Sequence, residues 1–87
     1  MMEKIENSLK DILIEDLYVE VEKDKILSTH SLRQDLGVDS LGFVELKDQI
    51  EKRFKVVIDD DAFTPENFST IATLASLIHA LNGASVQ

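Results

Sequence analysis

The stretch of this 87-residue chain best equipped for chemistry is Gly37-Val38-Asp39-Ser40-Leu41. Ser40 offers a hydroxyl, and apolar spacing after it predicts a helix from Ser40 to Arg53 or Phe54. Asp39 then falls just before the helix. A carboxylate there accepts from the free N–H groups of the first turn and suits the positive end of the helix dipole. Ser40 falls at the first helical position, with its side chain projecting outward. A serine nucleophile needs a base and an oxyanion site. His30 and His79 are both remote from Ser40 in sequence, no His-Glu-x-x-His spacing exists, and no strand precedes the serine as in the strand–turn–helix of hydrolases. Ser40 is therefore read as a group acted upon, an acceptor for a phosphoryl group that would lie near helix N–H groups. No residue is assigned a catalytic role.

Other chemistry is sparse. Asp59-Asp60-Asp61 lacks the glycine and distal Glu of a calcium loop. There is no Cys, hence no disulfide and no thiolate metal site, and no metal site is expected. Lys and Arg total 9 against 17 Asp and Glu, a net charge of −8. Nucleic acid is excluded as a partner, because phosphate neutralisation needs a basic patch. A basic protein surface is the natural partner; the simpler alternative is that acidity keeps a small domain soluble. No apolar run approaches a membrane span. Met1-Met2-Glu3-Lys4-Ile5-Glu6 lacks the basic start and apolar centre of a signal peptide, so a cytoplasmic protein is expected.

The elements that must hold Ser40 follow from periodicity. Ile5, Leu9, Ile12, Leu13 and Leu17 predict a first helix over residues 2–19. Residues 20–38 form a long connection, tacked down by Ile26, Leu32 and Leu36, with Ser28, Thr29 and Ser31 suited to local turns. Gly37 suits a positive φ just before the second helix. Thr64-Pro65-Glu66-Asn67-Phe68 predicts one to two helical turns, capped by Thr64 with Pro65 first inside. Ile71, Leu74, Ala75, Ile78 and Leu81 predict a last helix ended by Gly83. The expected fold is all-α: three main helices, one short helix and a long first loop. The expected organisation is a single domain, with its core over residues 3–81 and a tail over 82–87.

On the second helix Phe43, Leu46, Ile50 and Phe54 share the core face. Leu41, Val44, Glu45, Asp48, Glu51 and Lys52 share another, contiguous with Ser40. An apolar pair ringed by charge beside an exposed hydroxyl reads as a docking surface. The blander alternative is that Leu41 and Val44 are core edge.

The blocks Leu36-Gly37-Val38-Asp39-Ser40-Leu41, Val44-Glu45-Leu46 and Ile50-Glu51…Phe54 carry a resemblance. With Thr64-Pro65-Glu66-Asn67-Phe68…Ile71-Ala72-Thr73-Leu74-Ala75, they resemble the acyl carrier protein family, of the stand-alone bacterial kind, over residues 3–81. The resemblance implies an acyl-carrier-like four-helix bundle. It implies that Ser40 receives 4′-phosphopantetheine from coenzyme A, through a phosphopantetheinyl transferase that holds a magnesium ion. Asp39 matches the motif Asp that helps hold that metal during transfer. Asp39 and Leu41 thus flank the attachment site. The arm's thiol would carry acyl or aminoacyl groups as thioesters, supplying the sulfur that this chain lacks. Leu41, Val44, Glu45, Asp48 and Glu51 match the face that family members dock on basic patches of loading and synthase enzymes. A non-catalytic carrier, a monomer, is implied.

Two features depart from the fatty-acid type. Gly42 replaces a polar or acidic residue after Asp-Ser-Leu; glycine in a first turn costs up to about 1 kcal/mol relative to Ala. Residues 40–55 are net +1, since Lys47, Lys52, Arg53 and Lys55 outnumber Glu45, Asp48 and Glu51 by four to three. A specialised polyketide, hybrid peptide–polyketide or fatty-acyl pathway is the expectation, with a peptidyl or aryl carrier as runner-up. From other classes come a non-covalent helical adaptor without the arm and, remotely, a hydrolase. Leu46, Ile50, Ile58, Phe63, Phe68 and Leu74 could line an acyl pocket, or simply close the core.

Overall fold

The first helix, α1, spans Met2–Glu15 and buries Leu9, Ile12 and Leu13. The structure is a computed structural model that describes residues 2–86, and the side chains of residues 3–82. The helix ends earlier than the apolar spacing suggested. Tyr18 takes a left-handed conformation, with φ of 60°. The Val19 N–H then reaches back to the Leu13 carbonyl at 2.9 Å, and the Leu17 N–H to that of Ile12 at 3.2 Å. Such bonds satisfy carbonyls that a helix end leaves open. Leu17 thus packs on the core from a turn.

The long connection holds a single 3-10 turn at Lys23–Lys25. Beyond it Ile26, Leu32, Leu36 and Val38 are buried. The Leu32 N–H donates to the Ser69 carbonyl, and the Ala72 N–H to that of Ser28, both at 2.9 Å. An isolated antiparallel bridge pairs Ser31 with Thr70. Side chains brace the loop: Asp35 Oδ2 accepts the Ser31 N–H at 2.7 Å, and His30 Nδ1 that of Leu27 at 3.0 Å.

Helix α2 spans Ser40–Phe54, and α3 spans Ile71–Val86. α1 packs against both. Leu46, Ile50, Ile71, Leu74, Ala75 and Ile78 are fully buried, and Phe43 and Phe54 lie half-buried beside them. The Phe68 ring meets Phe43 edge-on at 6.5 Å and Phe63 at 4.8 Å, which ties α2 to the chain before α3. The radius of gyration is 11.9 Å, against about 12 Å for a folded chain of this length.

One local expectation is met at its short end and another changes. Thr64–Phe68 closes as one turn, with the Phe68 N–H on the Thr64 carbonyl at 3.0 Å and Thr64 Oγ1 capping the Asn67 N–H at 3.1 Å. The Thr70 and Thr73 hydroxyls claim the next backbone groups, which starts α3 before the turn can lengthen. And α3 passes through Gly83 to Val86; glycine inside a helix costs only about 1 kcal/mol. The expected tail thus begins as helix, with Gln87 outside the described residues.

Candidate functional site

The site is set by local backbone chemistry. Leu36 and Val38 are both buried, and Gly37 between them has φ of +74°. The Val38 N–H donates to the Leu32 carbonyl at 2.9 Å, which fixes where the loop delivers the chain to α2. Asp39 follows in extended conformation and caps the helix, its Oδ1 accepting from the Gly42 N–H at 2.8 Å. The Phe43 N–H takes the Asp39 carbonyl at 2.9 Å. The N–H groups of Ser40 and Leu41 remain at the open end of the helix.

Ser40 is exposed at the first helical position. Among the described residues its hydroxyl has no hydrogen-bond partner. Neither His30 nor His79 hydrogen-bonds to it, and His30 is committed to the loop through Nδ1. No group of three or more His, Cys, Asp or Glu among the described residues could hold a metal ion. Asp59 caps a turn instead, its Oδ1 accepting from the Ala62 N–H at 3.0 Å. A free hydroxyl beside open N–H groups and the positive helix end fits a phosphodiester.

The expected docking residues divide. Leu41 is 81% and Val44 57% exposed, which rules out core edge for both. Glu45 is exposed, and its carboxylate takes the Gln49 amide at 2.6 Å. Asp48 pairs with Lys52 at 3.0 Å. The hydrogen bond from Lys52 to Asp48, and then that carboxylate's charge, raises the ammonium pKa above its usual value. Glu51 has other work. Its Oε2 accepts the Ile58 N–H at 2.8 Å and lies 3.6 Å from Lys47 Nζ, so it fastens the chain leaving α2. The outward charge of the face is therefore that of Glu45, with Asp48 largely offset by Lys52. Arg53 reaches away toward Asp11, at 3.8 Å.

Two features escaped sequence reasoning. A Cβ on Gly42 would lie 3.0 Å from Val38 Cγ1, 3.3 Å from Asp39 Oδ1 and 3.7 Å from Leu17 Cδ2. The missing side chain is what lets the first turn of α2 pack closely on Val38 and on its own capping carboxylate. Tyr18 is 80% exposed on a left-handed backbone. No composition signal marks a tyrosine for that conformation.

An all-α bundle that presents a free serine hydroxyl at a capped helix start has the form of a prosthetic-group carrier. The chain matches the family model described as "Phosphopantetheine attachment site" over residues 7–79. It is also 40% identical over 60 residues to an acyl carrier protein of Karelsulcia muelleri (strain GWSS), covering 69% of this chain and 70% of that one. The chain belongs to the phosphopantetheine-attachment family of acyl carrier proteins. It is a non-catalytic acyl carrier with a covalently attached phosphopantetheine. Carriers of this family engage phosphopantetheinyl transferases and synthase enzymes. Among the described residues no helix is long and apolar enough to cross a membrane.

Proposed function

We propose that Ser40 is the attachment residue and that this carrier, a cytoplasmic monomer of one domain, serves a specialised polyketide, hybrid peptide–polyketide or fatty-acyl pathway. The observation that carries the first part is the exposed, unpartnered hydroxyl of Ser40 at the capped start of α2. In the transfer Ser40 Oγ forms a bond to the β-phosphorus of coenzyme A and adenosine 3′,5′-bisphosphate leaves. The hydroxyl proton goes to a base on the transferase, since among the described residues none hydrogen-bonds to Ser40. Asp39 holds the helix start, and its second carboxylate oxygen would help hold the transferase's magnesium ion during transfer. Leu41 and Val44 then dock the loading and synthase enzymes, with Glu45 and Asp48 facing their basic patches.

The specialised pathway is supported by Gly42 and by the muted acidity of the α2 face. Cargo is small acyl, extender-unit or aminoacyl. The packed state of Leu46, Ile50, Ile58 and Leu74 favours cargo held outside the core. One observation favours the aryl-carrier alternative. A cleft of about 340 Å³ opens beside Phe43, Phe63 and Phe68, whose rings suit a flat cargo.

The test is intact-protein mass after incubation with coenzyme A, magnesium and a broad-specificity transferase. Wild type should gain one phosphopantetheine and Ser40→Ala none. Loading of the Ser40→Ala protein would reject Ser40. No loading of either, with the transferase active on a control carrier, would point to the arm-less adaptor.

A further inference from the structure

A second cleft, of about 480 Å³, lies between the end of α1 and the start of α2. Leu17, Tyr18, Val19 and Val21 form one wall; the chain from Gln34 to Asp39, with Gly42, forms the other. It reaches the same helical turn that carries Ser40. Glu20, Asp35 and Asp39 contribute carboxylates, and no Lys, Arg or His is among the lining residues. Asp35 and Asp39 each commit one oxygen to a backbone N–H, and each keeps a second. Glu20 has no partner among the described residues. Tyr18 stands on the rim with its ring in solvent and its phenol unpaired among the described residues. A positive φ is uncommon for a residue other than glycine and rarer for a bulky one, so holding this ring out costs the fold stability.

We infer that this cleft is a docking subsite for the phosphopantetheinyl transferase, taking a basic side chain of that enzyme with Tyr18 as the anchor. The inference rests on Ser40 being the attachment residue. Charge complementarity names the occupant. An arginine or lysine lays its alkyl stem along Leu17 and Val19, packs its cation on the Tyr18 ring and meets Glu20 and Asp39. Position names the partner. A synthase works at the far end of the arm, whereas the transferase must bring its active centre to the Ser40 hydroxyl itself. The cleft is continuous with the exposed α2 face through Asp39 and Leu41. The transferase would thus straddle the start of α2. Gly42 keeps the wall nearest Ser40 low: any side chain there would crowd Val38 and Asp39.

The test uses the full chain and the transferase that loads it in the mass experiment. Tyr18→Gly removes the ring while accepting the left-handed backbone, so its Tm should not fall. Its KM should rise about tenfold, as when an aromatic interface anchor is lost, with kcat unchanged. Tyr18→Phe should load like wild type, because the ring and not the phenol makes the contact. Glu20→Gln should raise KM and flatten its salt dependence. Full loading of Tyr18→Gly with KM within twofold of wild type would overturn the subsite and leave Ser40 standing. Loading of Ser40→Ala would instead count against the attachment residue, and with it against a subsite placed by nearness to Ser40.

Discussion

Glu51 shows how one carboxylate can leave a surface role for a structural one. Lys55 turns the chain with φ of 57°, which swings Ile58 back alongside α2. The Ile58 N–H then sits within 2.8 Å of Glu51 Oε2, half-buried. Removing the acceptor leaves that N–H without a partner, at about 1–3 kcal/mol. Glu51→Ala is expected to lose that much in urea denaturation, and Glu51→Gln less than half of it, because the amide oxygen still accepts. Lys52 is the opposite case, exposed and paired with Asp48. Its raised pKa means the pair persists below the usual lysine value and is lost only as pH rises through the folded-state value. Lys52→Gln frees the Asp48 charge. Binding to a basic partner should tighten about 1.5- to 5-fold, the range of exposed ion pairs, as read by titration.

At the scale of the element, α2 is started by one residue and shaped by another. Asp39 is the cap, and Ser is an equally good one. Asp39→Ala should lower stability by about 1 kcal/mol, whereas Asp39→Ser should restore most of it. If loading still fails in Asp39→Ser, the carboxylate is needed for the transfer as well as for the helix. Gly42 works by close approach. Gly42→Ala gains helix propensity of about 1 kcal/mol. Against that, the new methyl meets stiff, buried Val38 at 3.0 Å and presses on the capping oxygen at 3.3 Å. Crowding a packed site costs about 1–3 kcal/mol and a disturbed cap about 1 more. A net loss of about 1–3 kcal/mol is expected, measurable by the same denaturation.

At the scale of the molecule, the core is closed and the chemistry is peripheral. Leu46, Ile50 and Leu74 have no exposed surface, so a cargo entering the bundle would have to displace them. Cargo that binds the folded state inside would stabilise it. Cargo held outside would not. Loading a short acyl or aryl group is therefore expected to move Tm by less than about 2 °C, since even 1 kcal/mol would shift a domain of this size by about 4–8 °C. A rise of that larger size would show that the bundle opens. The net charge of −8 surrounds this core, yet the α2 face contributes little of it. The acidic wall of the Tyr18 cleft adds carboxylates beside Ser40 that the helix face alone does not supply.

What the sequence determined by itself is whatever depends on neighbours within a turn. Asp39 three residues before Gly42, Gly37 before a helix start, and the apolar stripe of α3 are short-range patterns. Each has the same consequence in almost any surroundings. The family blocks around Ser40 are legible for the same reason. Packing between distant segments sets where α1 stops, because Leu17 fits the helical stripe equally well and Tyr18 gives no local sign of a positive φ. It also keeps Thr64–Phe68 to a single turn, since Thr73 and the strand-like contact at Ser31 and Thr70 take up the groups that would extend it. Helical spacing places Glu51 outward because spacing fixes a side chain's direction and not its partner. That partner is a backbone N–H seven residues on, brought back by a turn. The cleft beside Gly42 exists only because two elements distant in sequence meet there. Spacing within one helix carries no information about the second wall.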